Sequence, residues 1–278
     1  MSITIQKLYR NRSLRIGSVL LSVFVIMAGI SFFWTPFSYR EIFEGASLLP
    51  PDSKYWLGTD DLGRDLVSRL MVGAQLSLGI GLLVGGISVV IGASLGIAAG
   101  YFSGTFDRIA TQAMNALQAM PSLLMALFVV AILGPGIFNT ILSVTLVSIP
   151  IMYRLVRTSS MIETQKDYVV SAKALGASHF RILSKHLLPN CWTPILVQSA
   201  VCCSEAILNT AALGFLGLGI PAPFPEWGTM LSDSKNFMES SPRLLWAPGL
   251  CLMLLILSTQ LISDGLRDQL DPKLRGRG

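Results

Sequence analysis

The sequence predicts an all-α, polytopic membrane protein with six transmembrane helices, and three observations carry that prediction. Hydrophobic residues fill 52% of the 278 positions, whereas charged residues fill only 13%, about half of the ~25% that soluble domains carry. The remaining charge is clumped, so that residues 70–106 and 109–153 contain no Asp, Glu, Lys or Arg. Such runs exceed what a soluble core needs, and a helix crossing ~30 Å of hydrocarbon needs ~20 apolar residues. A transmembrane β-barrel would instead alternate polar and apolar positions in ~10-residue segments, which these runs do not.

The predicted spans fall at 16–35, 76–101, 111–133, 137–153, 191–213 and 244–263. Lys7, Arg10, Arg12 and Arg15 precede the first, a start that signal peptides share. The apolar run through Trp34 is too long for a signal core, and no A-x-A cleavage pattern follows it, so the segment reads as a retained span. In the second span, Gly81 and Gly85, then Gly92, Gly96 and Gly100, recur every four residues. They lay bare backbone along one helix face for close packing; packing inside the subunit is the favoured use, pore lining the other. Pro121 predicts a kink in the third span, and Gly134-Pro135-Gly136 leaves room only for a tight hairpin into the fourth.

Charge asymmetry sets the orientation. Fifteen Lys/Arg lie in the N-terminal tail (1–15), the 102–110 turn, the 154–190 loop and the C-terminal tail (264–278), against six in the loops 36–75 and 214–243. The positive-inside rule places both termini and the 154–190 loop in the cytoplasm, and loops 36–75 and 214–243 in the periplasm. The same rule accounts for the net charge of +5 and pI of about 9.2, with no need for nucleic acid. The core of five helices runs over 76–263. Cys191, Cys202, Cys203 and Cys251 show no C-x-x-C or metal spacing and read as small apolar packing residues; no metal site is predicted.

Within loop 36–75, Thr59 or Asp60 can cap an amphipathic helix carrying Leu62, Leu66, Arg69 and Leu70. Laid along the membrane, that helix leaves Asp61 and Arg64 for a partner; a structural elbow into the second span fits the same spacing. Trp34, Trp227 and Trp246 are predicted interface anchors. Loop 154–190 is the most informative stretch. Residues 167–178 read as a helix stopping at Gly176, and 179–188 as a second helix ended by Pro189-Asn190. Two short basic helices around a glycine turn make a docking knob. One acid, Glu205, falls deep in a span. An intramembrane carboxylate is costly and therefore a functional candidate; pairing with a neighbouring helix or a partner subunit accounts for it equally well.

Four segments, in order, resemble the binding-protein-dependent ABC permeases, specifically the second, C-type subunit of the dipeptide/oligopeptide/nickel branch. The knob is similar to the family's EAA loop, Glu-Ala-Ala, three residues, Gly, nine residues, Ile-x-Leu-Pro. Ala172, Gly176, Leu188 and Pro189 match, while Val170, Ser171 and His186 replace the Glu, the first Ala and the Ile. The segments Trp56–Asp65 with Ser68-Arg69-Leu70, Ala212–Gly219 with Pro225-Glu226-Trp227-Gly228, and Asp264–Asp268 with Leu270-Asp271-Pro272 match the branch elsewhere. Where the branch commonly has an Arg and an Asp three apart in the third span, this chain has Gln112 and Asn115, and where it has a Glu in the fifth span, Thr210 stands.

The resemblance implies a type I ABC importer permease (MetI-like) fold in the bacterial inner membrane, importing di- or oligopeptides, with nickel or metal chelates as the alternative. It implies a second homologous permease, two cytoplasmic ABC ATPases and a periplasmic or lipid-anchored solute-binding protein as partners. It also implies that Ser171, Ala172, Lys173, Leu175, Gly176, Ala177, Ser178, Arg181, His186, Leu188 and Pro189 couple to the ATPases. Glu205, Asn209 and Thr210 become candidates for the translocation pathway, and Asp61 and Arg64 for contact with the binding protein. ATP and Mg belong to the ATPases. This chain has no GxxxxGK[ST] phosphate loop, no catalytic constellation and no expected cofactor. An ATPase-independent ion-coupled carrier or channel, the rival class, would favour several intramembrane ionisable groups or a repeated half-sequence.

Overall fold

The computed structural model describes residues 11–270, and every regular element among them is helical. Lys7 and Arg10 of the N-terminal tail, and Asp271 and Pro272 of the C-terminal signature, lie outside the described residues. Helix α1 (Arg12–Ser31) leads into an extended elbow, and α2 (Leu66–Phe102) returns, with a π-helical turn at Val89–Ala93. Then come α3 (Gly104–Leu117), α4 (Ser122–Leu133) and α5 (Ile137–Thr164). The knob holds α6 (Asp167–Ala174) and α7 (179–190). Helix α8 (Trp192–Phe215), the short α9 (Trp227–Asp233) and α10 (Arg243–Leu270) complete the described residues.

Helices α1, α2, α5, α8 and α10 are each long and apolar enough to cross a membrane. Helices α3 and α4 pass the same test only as a pair, bent by 83° between them, and make a sixth span when taken as one. The predicted kink at Pro121 is therefore a break. Pro121 stands just ahead of α4, where it disfavours helix in the residue before it. The two halves also differ in kind: α4 is apolar throughout, whereas α3 buries no residue and is amphipathic.

A second departure concerns the elbow. No separate amphipathic helix forms; α2 begins at Leu66, capped by Asp65, whose carboxylate accepts from the Ser68 amide (2.8 Å) and hydroxyl (2.7 Å). Thr59 and Asp60 sit instead in a buried turn. Gly58 and Gly63 flank it at φ of +77° and +78°, a left-handed conformation through which a right-handed helix does not propagate.

Three apolar clusters hold the bundle. Phe24, Leu70, Trp227 and Leu255 join α1, α2, α9 and α10; Ile80, Val130, Val144 and Leu213 join α2, α4, α5 and α8. The third, containing Ile97, Met152, Val156, Ile182, Leu187 and Ile195, roots the knob in the spans. The glycine stripe explains how α2 reaches its neighbours. A Cβ at Gly92 would lie 2.8 Å from the Met152 side chain, one at Gly96 2.8 Å from the Tyr153 carbonyl, and one at Gly100 2.7 Å from the Arg157 carbonyl, while Gly81 meets Ile207 on α8. The stripe packs within the subunit. Trp227 is no interface anchor: it is fully buried, donates to the Leu70 carbonyl at 3.2 Å and meets Phe24 edge-on. Trp34 and Trp246 are exposed.

Candidate functional site

The knob is built on a helix stop that its glycine makes possible. Gly176 adopts φ +75°, where a Cβ would be strained. The Gly176 amide donates to the Lys173 carbonyl and the Ala177 amide to the Ala172 carbonyl, each at 3.0 Å, closing α6 with a Schellman pair. Ser178 then caps α7 by accepting from the Arg181 amide at 3.4 Å. Two turns of backbone are thus reversed within four residues.

The knob has an inner and an outer face. Val169, Ile182 and Leu187 are fully buried against α2, α5 and α8. Opposite them, Leu175 is 88% exposed, Phe180 80% and Val170 53%. Ser171, Lys173, Gly176, Ser178, Arg181, Leu188 and Pro189 are exposed with them, and Ala172, Ala177 and His186 are half-buried. Large apolar side chains left uncovered beside cations have the composition of a protein or membrane contact surface. Phe180 was absent from the candidate residues. Its signal was available, since it is a lone aromatic on the far side of the glycine turn in a basic loop. At the knob's base, the Tyr168 hydroxyl donates to Glu163 at 2.6 Å; burial and that carboxylate push its pKa up.

The pathway candidates lie on α8. Glu205 and Asn209 are half-buried, and Glu205 has no hydrogen bond or ion pair among the described residues. Thr210 is 2% exposed, with its hydroxyl unpartnered. Gln198, Glu205 and Asn209 share one helix face by their spacing. Elsewhere, α3 is tied to α5 by polar contacts at every fourth residue. Asp107 accepts from Arg157 (Nη2–Oδ2 2.6 Å), Thr111 meets the Tyr153 hydroxyl at 2.9 Å, and Asn115 accepts from Arg154 at 3.3 Å. The neutral Asn115 thus serves as an acceptor for an arginine on the neighbouring helix.

At the opposite end of the bundle the elbow buries charge. Arg64 is not presented for a partner: it is 7% exposed, and its Nε donates to Asp60 at 2.6 Å. Arg69 shares the same carboxylate at 3.3 Å, while Asp61 stays half-buried at 3.9 Å from Arg64. The turn enforced by Gly63 folds Arg64 inward over Asp60. Ahead of α9, Glu226 is 1% exposed and caps that helix, accepting from the amides of Gly228 (2.8 Å) and Thr229 (2.9 Å). Burial pushes its pKa up to about 7, against the pull of those two amides.

Comparison with known proteins follows the same lines. Residues 92–276 match the family model described as "Binding-protein-dependent transport system inner membrane component". The dipeptide transport system permease protein DppC of Alkalihalophilus pseudofirmus is 40% identical over 97% of this chain and 89% of its own length. The glutathione transport system permease protein GsiD of Pectobacterium atrosepticum is 40% identical over 86% of this chain and 78% of its own. In fold, the chain is similar to a chain of the MetNI methionine ABC transporter in inward-facing conformations, with a TM-score of 0.60 at 18% identity, covering 73% of this chain and 97% of that one.

Proposed function

The chain belongs to the family of binding-protein-dependent transport system inner membrane components, and we propose that it is the permease subunit of an importer for di- and tripeptides. Together with a second, homologous permease it encloses the pathway; two ATPases dock on the knob, and a binding protein delivers substrate at the elbow end. Both termini then lie in the cytoplasm, as the distribution of Lys and Arg supports. The observation that carries the reading is the two-faced knob. Its outer face offers Leu175 and Phe180 to a partner, while its inner face is continuous with the transmembrane core.

Work done on the outer face reaches the spans because the inner face is close-packed and transmits displacement. Transport follows only if the ATPases touch the knob differently in their open and closed states. Peptide substrates are supported by relatives named for dipeptide and glutathione transport. Glu205, with Asn209 and the unpartnered Thr210 hydroxyl, is proposed to line the pathway, since a carboxylate without a partner in a span is stable only where water, substrate or a second subunit reaches it.

Proteoliposomes holding both permeases and both ATPases, with binding protein supplied outside, test the reading. ATP-dependent uptake of a labelled dipeptide is expected, competed by dipeptides and not by nickel. A Gly176→Glu chain inserts normally but fails to couple. Full uptake by that variant at normal expression, or uptake without ATPases, would falsify the assignment.

A further inference from the structure

The knob is joined covalently to α5 through residues 165–166 and to α8 through Cys191, but it has no covalent link to α2. We infer that Tyr101, in the last turn of α2, is a positioning residue that fixes both knob helices to the second span, so that ATPase motion reaches α2 in step with α5 and α8. The inference rests on reading 167–190 as the ATPase-coupling loop.

Tyr101 is 7% exposed and belongs to the apolar cluster that roots the knob. Its hydroxyl lies 2.7 Å from Nδ1 of His179, the first residue of α7. The Lys173 ammonium, in the last turn of α6, stands 4.6 Å from the centre of the same ring. One side chain of α2 therefore holds one group from each knob helix, on the two sides of the Gly176 turn. The rings of His179 and Phe102, the next residue on α2, are 5.6 Å apart and close the contact from a second side.

The surrounding apolar contacts of Ile97, Val169 and Ile182 transmit displacement but, being non-directional, do not by themselves fix a register. A hydrogen bond and a cation–π contact have preferred geometry and define a register. The second span is also the one whose glycine stripe lies against backbone of α5 at Gly96 and Gly100. With so little side chain between those helices, a slip in the register of α2 alters its packing along its length.

The test uses the complete importer in proteoliposomes and reads peptides imported per ATP hydrolysed. Tyr101→Phe keeps the ring and removes only the hydroxyl, while His179→Ala removes the opposite partner. Each is expected to lower the ratio by about fivefold, the factor carried by one typical hydrogen bond, with ATPase co-purification and thermal midpoint near wild type. The double variant is expected to be no worse than His179→Ala alone, because the hydrogen bond that Tyr101→Phe removes is already lost with His179. His179→Asn, which retains a side-chain hydrogen-bonding group, is expected to recover part of the loss. An unchanged ratio in Tyr101→Phe, or losses that multiply in the double variant, overturns the inference. So does a lowered thermal midpoint with an unchanged ratio, which assigns Tyr101 to stability alone. ATPases that fail to bind the wild-type chain remove the coupling reading itself, a result distinct from these.

Discussion

The two ends of the bundle break opposite rules. At the knob, large apolar side chains are left uncovered, with Leu175 and Phe180 more than three-quarters exposed; at the elbow, charges are enclosed, with Asp60, Arg64 and Arg69 each less than a tenth exposed. Exposed Leu and Phe cost the isolated chain solubility and return that cost only when a partner covers them. Buried ion pairs lose much of their Coulombic gain to desolvation, yet removing one partner strands the other. The knob thus leaves apolar surface uncovered, whereas the elbow pairs Asp60 with Arg64 and Arg69 internally and leaves only Nη1 of Arg69 buried without a partner among the described residues of that cluster.

The comparison breaks most readily at the elbow. Asp60→Ala leaves Arg64 and Arg69 without their shared carboxylate, and a loss of about 3–5 kcal/mol is expected, measured as a lowered thermal midpoint in detergent. A stability within 0.5 kcal/mol of wild type, the range of an ordinary surface change, would show that the elbow charges are not structural.

Acidity is the next lever. Glu226 keeps its proton in the folded chain up to about pH 7, whereas the unfolded chain releases it near 4.5. The folded state therefore holds the extra proton between those values. Its stability is full below the lower value and falls as pH rises through the window, by at most about 1.4 kcal/mol per pH unit. Denaturant titrations at pH 5 and pH 8 should show this fall in wild type and its absence in Glu226→Gln. Equal slopes in both proteins would return Glu226 to an ordinary ionised cap.

The knob responds in the opposite sense. Leu175→Ala and Phe180→Ala are expected to leave thermal stability unchanged and to weaken ATPase binding by roughly tenfold each, the cost of trimming an interface anchor. Retention of both ATPases through size-exclusion chromatography by the double variant would deny the knob its role. The smallest effect belongs to Gly176→Ala, where a Cβ at φ +75° costs about 1 kcal/mol. That local strain is expected as a modest drop in transport with wild-type insertion; a larger loss of folded protein would place Gly176 in the elbow's class.

Much of this was legible in the sequence, for reasons that differ by element. Gly176, Ala172 and Pro189 sat at recognisable spacing because a helix stop followed by a second helix has few local solutions. The glycine stripe was legible because a repeat of four defines a helix face whatever it packs on. The break at Pro121 was read as a kink because a proline does not disclose how polar α3 is compared with α4. Arg64 was read as exposed because its burial depends on Gly63 turning the chain back over Asp60. Trp227 was read as an anchor because hydropathy does not distinguish a tryptophan at the membrane surface from one enclosed by α1, α2 and α10.

By itself the sequence determined the all-helical membrane class and the helix stop at Gly176, because hydrophobic length and helix stops act over a few residues or along one helix. Only the tertiary structure decided which charges are enclosed, which apolar residues are left uncovered, and that Tyr101 of the second span meets Lys173 and His179. Those contacts join residues more than 70 positions apart, and the closeness that defines them is set by how helices pack against one another, which no local pattern encodes.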